Sequence, residues 1–341
     1  MLKYKNIINK FSGKKILVIG DLILDHYIKG NVSRISPEAP VPVVLQSQSF
    51  YTPGGSANVA NNLSSLGAKV TVVGKVGHDL EGALLKRELK KRKIILDGVF
   101  TEVGAHTILK TRIIAQNQQV VRVDRESVLE DGPDAFKDKK IWPFVQKTIS
   151  GCDAVIISDY GKGMIDPVFV EKVSSAANKR GIPITVDPKQ DKFKLYGKVT
   201  TITPNKKEAE TALLRVPEEL RETLGAQSLK LNKTEDIVRA GRIFLEYLDL
   251  ESVLITLGEQ GMYLFERGKA PFPIATQARE VFDVSGAGDT VISVFTLALA
   301  AGATKRQAAS IANYAAGVVV GKMGAVAITK AELLEAIKER S

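Results

Sequence analysis

Short apolar runs recur along the chain with amphipathic stretches between them. Ile16–Ile19, Val70–Val73, Ala154–Ile157, Ile184–Val186, Val199–Ile202 and Val253–Thr256 are rich in β-branched residues, each near a Gly, Asp or Pro. Runs without polar alternation predict strands covered on both faces, as in a parallel sheet. Between them, Ala57–Leu66, Glu81–Lys91, Val168–Arg180 and Asp236–Leu248 repeat apolar residues at three- and four-residue spacing, which predicts helices with one buried stripe. The predicted class is therefore α/β: a doubly wound, mainly parallel sheet flanked by helices and joined by right-handed crossovers.

Two stretches break this rhythm. Val41–Ser49 and Thr107–Asp124 alternate apolar and polar residues, the pattern of half-buried antiparallel strands. They predict a small β-sheet lid from about residues 38–50 and 105–125, placed to fold over the carboxyl ends of the main strands, where open α/β sheets bind ligands. An extra edge hairpin fits the same pattern. Near the end, Asp289–Ala301 and Lys305–Lys322 are rich in Ala, Val and Ile and predict two buried helices, and Thr329-Lys-Ala-Glu332 is a capping box for a last one. Leu214–Thr234 is polar and predicts a surface excursion.

With 44% hydrophobic residues the chain can bury a large core, so its 341 residues read as one domain carrying the lid. The formal charge of +10 suits anionic partners, but the basic residues are scattered. Their densest run, Lys86–Lys93, reads as the exposed end of a helix, so phosphorylated metabolites are expected rather than nucleic acid. Cys152 is the only cysteine, which excludes an intramolecular disulfide and fits a reducing, cytoplasmic location. Met1–Lys15 lacks the apolar core of a signal peptide, and no apolar run approaches the roughly 20 residues needed to span a bilayer, so no membrane insertion is expected. His26, His78 and His106 are far apart, against a histidine metal site.

The segment Asp283-Val-Ser-Gly-Ala-Gly-Asp289 opens a helix-forming run. Its glycines let backbone N–H groups converge at a helix N-terminus, an anion-binding arrangement; Gly286, Ala287 and Gly288 count with the catalytic segment, and the N–H groups of Ala287 to Asp289 are expected to stabilise charge on a transferring phosphoryl group. Asp289, in the first turn, is placed to take the proton from an attacking hydroxyl beside a transferring phosphoryl group. A glycine turn with a capping Asp fits the same residues. Gly317–Met323 has three residues where a Walker A loop has four and lacks the following Ser or Thr, so it is not a P-loop. In Pro53-Gly-Gly-Ser-Ala-Asn58, Gly54 and Gly55 permit close backbone approach, and Asn58 offers a donor and an acceptor to a sugar hydroxyl or simply starts a helix. Asp21 and Asp25 follow the first strand and can accept from hydroxyls, or stand as loop carboxylates.

Together these segments resemble the ribokinase-like carbohydrate kinase family over nearly the whole chain. Both signature regions are present: Gly54-Gly-Ser-Ala-Asn58, with Gly67 and Gly77 downstream, and Asp283–Asp289. The resemblance implies an ATP-dependent sugar kinase using Mg²⁺, with Asp289 as base and Gly286 and Gly288 at the nucleotide. It implies further ATP contacts from Thr256, Gly258, and Asn205 and Glu208 of Thr203-Pro-Asn205-Lys-Lys-Glu208, with Glu208 organising Mg²⁺ through water. From spacing alone that last segment is a strand exit and helix cap.

Val32–Val44, Arg112 with Asn117-Gln-Gln119 and Arg122-Val-Asp124, Ser158–Gly163 and Val186–Lys189 are similar to the members that act on D-glycero-β-D-manno-heptose 7-phosphate. That likeness implies phosphorylation of the anomeric hydroxyl, giving the 1,7-bisphosphate for lipopolysaccharide precursor synthesis. Asp21, Asp25, Gly54, Gly55 and Asn58 would hold the sugar. Arg112, Arg122, Lys162 and Lys189 are candidates for the substrate phosphate and for ATP, since guanidinium and ammonium groups match phosphate oxygens. The chain departs from many relatives in having Asp25-His26-Tyr27 for Asp-Arg-Tyr, and Val291-Ile-Ser-Val294 where smaller residues are usual. Its scattered histidines supply no His-x-Gly-His loop, so no nucleotidyltransferase domain is expected. The family likeness also implies a homodimer through the lid. A kinase for another sugar phosphate, such as tagatose 6-phosphate or fructose 1-phosphate, and a non-catalytic sugar-phosphate sensor are the competing readings; an RNA-binding protein would need a recognition motif that the chain lacks.

Overall fold

A computed structural model describes residues 2–116, 118–126, 137–189, 192–225, 228–278, 280–322, 324 and 326–339; Asn117 lies outside the described residues. The chain runs through α1 (Leu2–Asn9), β1 (Lys15–Gly20), β2 (Leu22–Ile35), β3 (Pro42–Gly55), α2 (Ser56–Ser65), β4 (Lys69–Gly77), α3 (Leu80–Lys91), β5 (Ile95–Glu102), β6 (Ile108–Ala115) and β7 (Gln118–Arg125). It continues through α4 (Trp142–Ile149), β8 (Ala154–Ser158), α5 (Pro167–Lys179), β9 (Ile184–Asp187), β10 (Thr201–Ile202), α6 (Lys206–Leu213), α7 (Glu218–Thr223), α8 (Thr234–Tyr247), β11 (Ser252–Thr256), β12 (Met262–Glu266), β13 (Phe272–Ile274), α9 (Ala287–Ala300), α10 (Lys305–Val319) and α11 (Lys330–Glu339).

The apolar runs form one sheet in the order β5-β4-β1-β8-β9-β10-β11-β12-β13. Pairing is parallel from β5 to β11, and β12 and β13 add antiparallel edges. The chain leaves β1 toward β4 and β5, then returns to β8 on its other side. The order therefore reverses between β1 and β8, and a crevice opens there at the strands' carboxyl ends.

Alternation along each strand sorts the core into two layers. On β1, Ile16 and Val18 pack with Val59 of α2, Val291 and Phe295 of α9 and Ile311 of α10. Leu17 and Ile19 face the other way, toward Val145 of α4, Phe169 of α5 and Phe244 of α8. Helix α9 is buried from Asp289 through Ala298, on all its faces. A helix apolar all round belongs inside, so its N-terminal turn is held at the crevice.

The lid is a second sheet in the order β3-β2-β6-β7. It is larger than the alternating stretches imply. Leu22–Ile35, which the pattern did not mark, forms its long second strand, and the two expected stretches pair with that strand rather than with each other. Thr107–Asp124 is two strands, and β6 runs parallel to β2, so the lid is mixed rather than antiparallel. His26 lies within β2, stacked on Tyr51 at 4.3 Å between ring centroids. Val199–Ile202 is reduced to the two residues of β10. Leu214–Thr234 contains α7 and buries Val216 and Leu231, so it is not wholly a surface excursion. The basic run ends α3, where Glu88 pairs with Lys91 and Arg92 while Leu85 and Leu89 face the core.

Candidate active site

Close packing brings the ends of β1 and β8 together. A Cβ on Gly20 would lie 2.0 Å from the Ser158 carbonyl oxygen, so only glycine fits where β1 exits. Asp21 follows, 3% exposed, and accepts three backbone N–H bonds from the loop after β8: Tyr160 at 2.9 Å, and Lys162 and Met164 at 3.1 Å each. Burial and the charge of Asp159 push the Asp21 carboxyl up, against those donors. Asp21 thus organises the 159–164 loop, a duty its sequence position did not reveal.

That loop delivers Tyr160 to Asp289. The Tyr160 hydroxyl donates to Asp289 Oδ1 at 2.6 Å, and Asn58 Nδ2 donates to Oδ2 at 2.7 Å. Burial pushes the Asp289 carboxyl up to about 6, while these two bonds pull it down. Gly286 precedes it in the left-handed region (φ 77°) as the helix N-cap. The Ala287 N–H turns back to the Val284 carbonyl at 3.2 Å, which leaves the cradle to the Gly288 and Asp289 N–H groups. A Cβ on Gly288 would meet nothing within 4 Å, so the turn faces open space. Asp283 ties this loop to the next: it accepts from the N–H groups of Ser285 and Gly324. Burial pushes its carboxyl up, but those bonds hold it below the usual range.

The lid supplies the opposite wall. Asp25 and Tyr27 of β2, Thr52 and Phe50 of β3, Lys110 and Arg112 of β6 and Arg122 of β7 lie in register on one face. The Arg112 guanidinium pairs with Asp25 at 2.5 Å and lies 5.4 Å from the Tyr27 ring centroid. Burial pushes the Asp25 carboxyl up despite that partner. Gly54 is glycine because a Cβ there would stand 2.6 Å from Asp25 Oδ2; Gly55 adopts φ 56° where the lid strand hands over to α2. Arg122 is half exposed and bonded to Asp124 at 2.9 Å, at the lid's outer strand. Lys162 pairs with Glu126 at 2.5 Å, and with Asp21, Lys75, Glu102 and His106 it lines a pocket beside the crevice.

The remaining candidates gather at the ends of β9, β10 and β11. Asn205 caps α6: its Oδ1 accepts from the Glu208 N–H at 3.0 Å, and Glu208 Oε2 accepts from the Asn205 N–H at 2.9 Å. Thr256 bridges to Asn205, and Gly258, at φ 61°, opens the turn beyond it. Asp187 joins this group unforeseen: burial, then the charge of Glu208, pushes its carboxyl well up. Glu208 is pushed up by burial against the Asn205 bonds and the charge of Lys189. Lys189 therefore belongs to this acidic corner, its stem lying against Gly161.

Tyr160, Asp159, Asp187 and Tyr196 are the site-wall residues that pattern reading gave no role. Asp159 accepts from the Gly161 N–H and the Tyr196 hydroxyl. Their segments stood out in the sequence, but only contacts between distant parts of the chain assign the side chains.

Among described residues no helix is long and apolar enough to cross a membrane. Residues 13–331 match the model of the pfkB family carbohydrate kinases. The chain is 43% identical over 98% of its length to the bifunctional protein HldE of Desulfatibacillum aliphaticivorans, and 44% identical over 94% to that of Helicobacter pylori. It spans 65% of the length of each of these relatives. Among solved structures it resembles Escherichia coli phosphofructokinase-2 in complex with substrates and products, with TM-score 0.76, 18% identity, and 96% and 99% of the two chains covered. It also resembles Arabidopsis thaliana ribokinase complexed with ribose and ATP, with TM-score 0.71, 18% identity and the same coverage. The chain belongs to the pfkB family of carbohydrate kinases.

Proposed function

We propose that this chain transfers the γ-phosphoryl group of ATP to the anomeric hydroxyl of D-glycero-β-D-manno-heptose 7-phosphate, giving the 1,7-bisphosphate and ADP. The observation that carries the reading is the buried Asp289 carboxylate at the N-terminus of α9, beside the Gly288 and Asp289 N–H groups and within reach of the lid wall that carries the Asp25–Arg112 pair. A carboxylate of pKa about 6 is ionised at neutral pH and close enough to it to accept a proton efficiently. The hydroxyl proton passes to Asp289 as the sugar oxygen bonds to the γ-phosphorus. The bond from that phosphorus to the β,γ-bridging oxygen breaks, and ADP leaves with the electron pair. The Gly288 and Asp289 N–H groups stabilise charge on the equatorial oxygens.

Asn58 Oδ1 is buried with no partner among the described residues. Buried acceptors are nearly always satisfied, so this one supports a sugar hydroxyl as the missing donor. The heptose assignment rests on the likeness of the Val32–Val44, Ser158–Gly163 and Val186–Lys189 segments to heptose phosphate kinases. Lys162, Arg112 and Arg122 are offered to the sugar's own phosphate, and Asn205, Thr256, Gly258 and Lys189 to ATP.

Among the described residues no three potential metal ligands cluster. That fits Mg²⁺ carried by ATP phosphates and waters, with Asp187 and Glu208, whose crowded charges a cation relieves, holding its water shell. When bound, the ion would neutralise charge on the β- and γ-phosphates. We place the enzyme in the cytoplasm and pair it as a homodimer through the lid's outer face, where Val121 and Val123 are 44% and 55% exposed. ADP release is measured with a panel of sugar phosphates and Mg-ATP. Turnover should be highest with the heptose 7-phosphate, and Asp289→Asn should lower kcat by on the order of 10²-fold or more. No ADP above background with any sugar phosphate, or near-normal turnover by D289N, would refute the reading.

A further inference from the structure

The geometry points to Tyr160 as a positioning residue for the base: its hydroxyl and Asn58 Nδ2 clamp the two oxygens of Asp289 from opposite sides and fix the carboxylate toward the reacting hydroxyl. This rests on the proposed role of Asp289. Tyr160 is part-buried on a loop pinned at several points. Asp21 takes the N–H groups of Tyr160, Lys162 and Met164, and Asp159 takes the Gly161 N–H at 2.7 Å and the Tyr196 hydroxyl at 2.7 Å. A loop held this way delivers the phenol to one place.

The phenol keeps its proton. Burial and the Asp289 charge push the Tyr160 hydroxyl well above its usual range, so it acts as a donor throughout the working pH range. A charge-assisted bond of 2.6 Å favours the ionised carboxylate. The other groups that bear on Asp289 are Asn58 from α2, Asp25 from β2 with its partner Arg112, and Asp187 from β9. The Asp25 carboxylate opposes ionisation of the base, Tyr160 and Asn58 favour it, and the Asp289 charge in turn raises Asp187. Asp21 enters the chemistry at one remove, by holding the loop that holds Tyr160.

Tyr160→Phe keeps the ring and deletes only the donor. The acidic limb of kcat/KM should move up by about one pH unit, because a hydrogen bond to a charged group is lost. With the base at about 6 in the wild type, the loss of rate should therefore be about fivefold greater at pH 6 than at pH 8.5, with KM for ATP within about twofold of wild type. Replacing Tyr160 with 3,5-difluorotyrosine, a stronger donor of nearly the same shape, should move the limb down. Titration of the Asp289 carboxylate by ¹³C NMR, assigned with Asp289→Asn, reads the same displacement without turnover and separates failure of this proposal from failure of the kinase reading. An Asp289 midpoint equal in wild type, Y160F and the fluorinated protein overturns it.

Discussion

Replacing Arg112 by Met tests the electrostatics of the lid wall most directly. The guanidinium lies 2.5 Å from Asp25, and the two side chains are only 17% and 8% exposed. Methionine keeps much of the aliphatic stem but strands the carboxylate. Removing one partner of a buried pair typically costs about 3–5 kcal/mol. The lower end, about 3 kcal/mol, applies here at pH 8 because the charge of Lys110 still reaches Asp25. Asp25 already has a raised pKa in the folded protein, and losing the guanidinium raises it further. A raised carboxyl favours the protonated folded state, so its penalty grows as pH climbs above the unfolded value near ~3.9 and levels off above the folded value. As pH falls below the folded values, the folded carboxyl takes up its proton with or without the guanidinium. The loss should then shrink to about 1 kcal/mol, the stacking of Arg112 on Tyr27. Urea unfolding of wild type and R112M, followed by circular dichroism and Trp142 fluorescence at pH 4.5 and 8, gives the difference by linear extrapolation. Equal losses at both pH values would refute the argument that a stranded charge is responsible.

Two further outcomes follow from geometry alone. Gly261 sits at φ 83°, and a Cβ there would lie 2.1 Å from the Ile274 carbonyl oxygen, so Gly261→Ala should destabilise by at least about 2 kcal/mol, read as a lower urea midpoint; an unchanged midpoint would mean the turn relaxes freely. Burial, with the charge of Asp153, pushes the Cys152 thiol up to about 11, so iodoacetamide should label it slowly at pH 7.5 until urea unfolds the chain. Labelling of native protein as fast as of a small thiol contradicts this.

The parallel core was legible because its strands are continuous β-branched runs, a signal that needs no partner to be read. The lid was legible by half. β2 begins in the apolar run Leu22–Leu24 and passes through Gly30-Asn31, so it offers no clean alternation, and its parallel partner β6 lies far away in sequence. Asp289 and the Gly286 turn were visible because a helix N-terminus is a local device. Tyr160 was not, since its meaning comes from a carboxylate 129 positions away. Asp21 was singled out for following the first strand, but its backbone partners lie 139 to 143 positions along the chain, and local sequence cannot announce those bonds.

The lid also has no linker at its main attachment. One residue, Asp21, separates the end of β1 from the start of β2, and β3 ends at Gly55 immediately before the helix that carries Asn58. Rocking the lid must be absorbed by the torsions of these few residues, among them Gly55 in its left-handed conformation. The lid wall and the helix whose Asn58 holds Asp289 are thus joined with no intervening segment. On the proposed mechanism this attachment would guard against wasting nucleotide: a sugar bound under the lid would bring the base and the phosphoryl cradle into line, and a stray water would be a poorer acceptor than the intended hydroxyl.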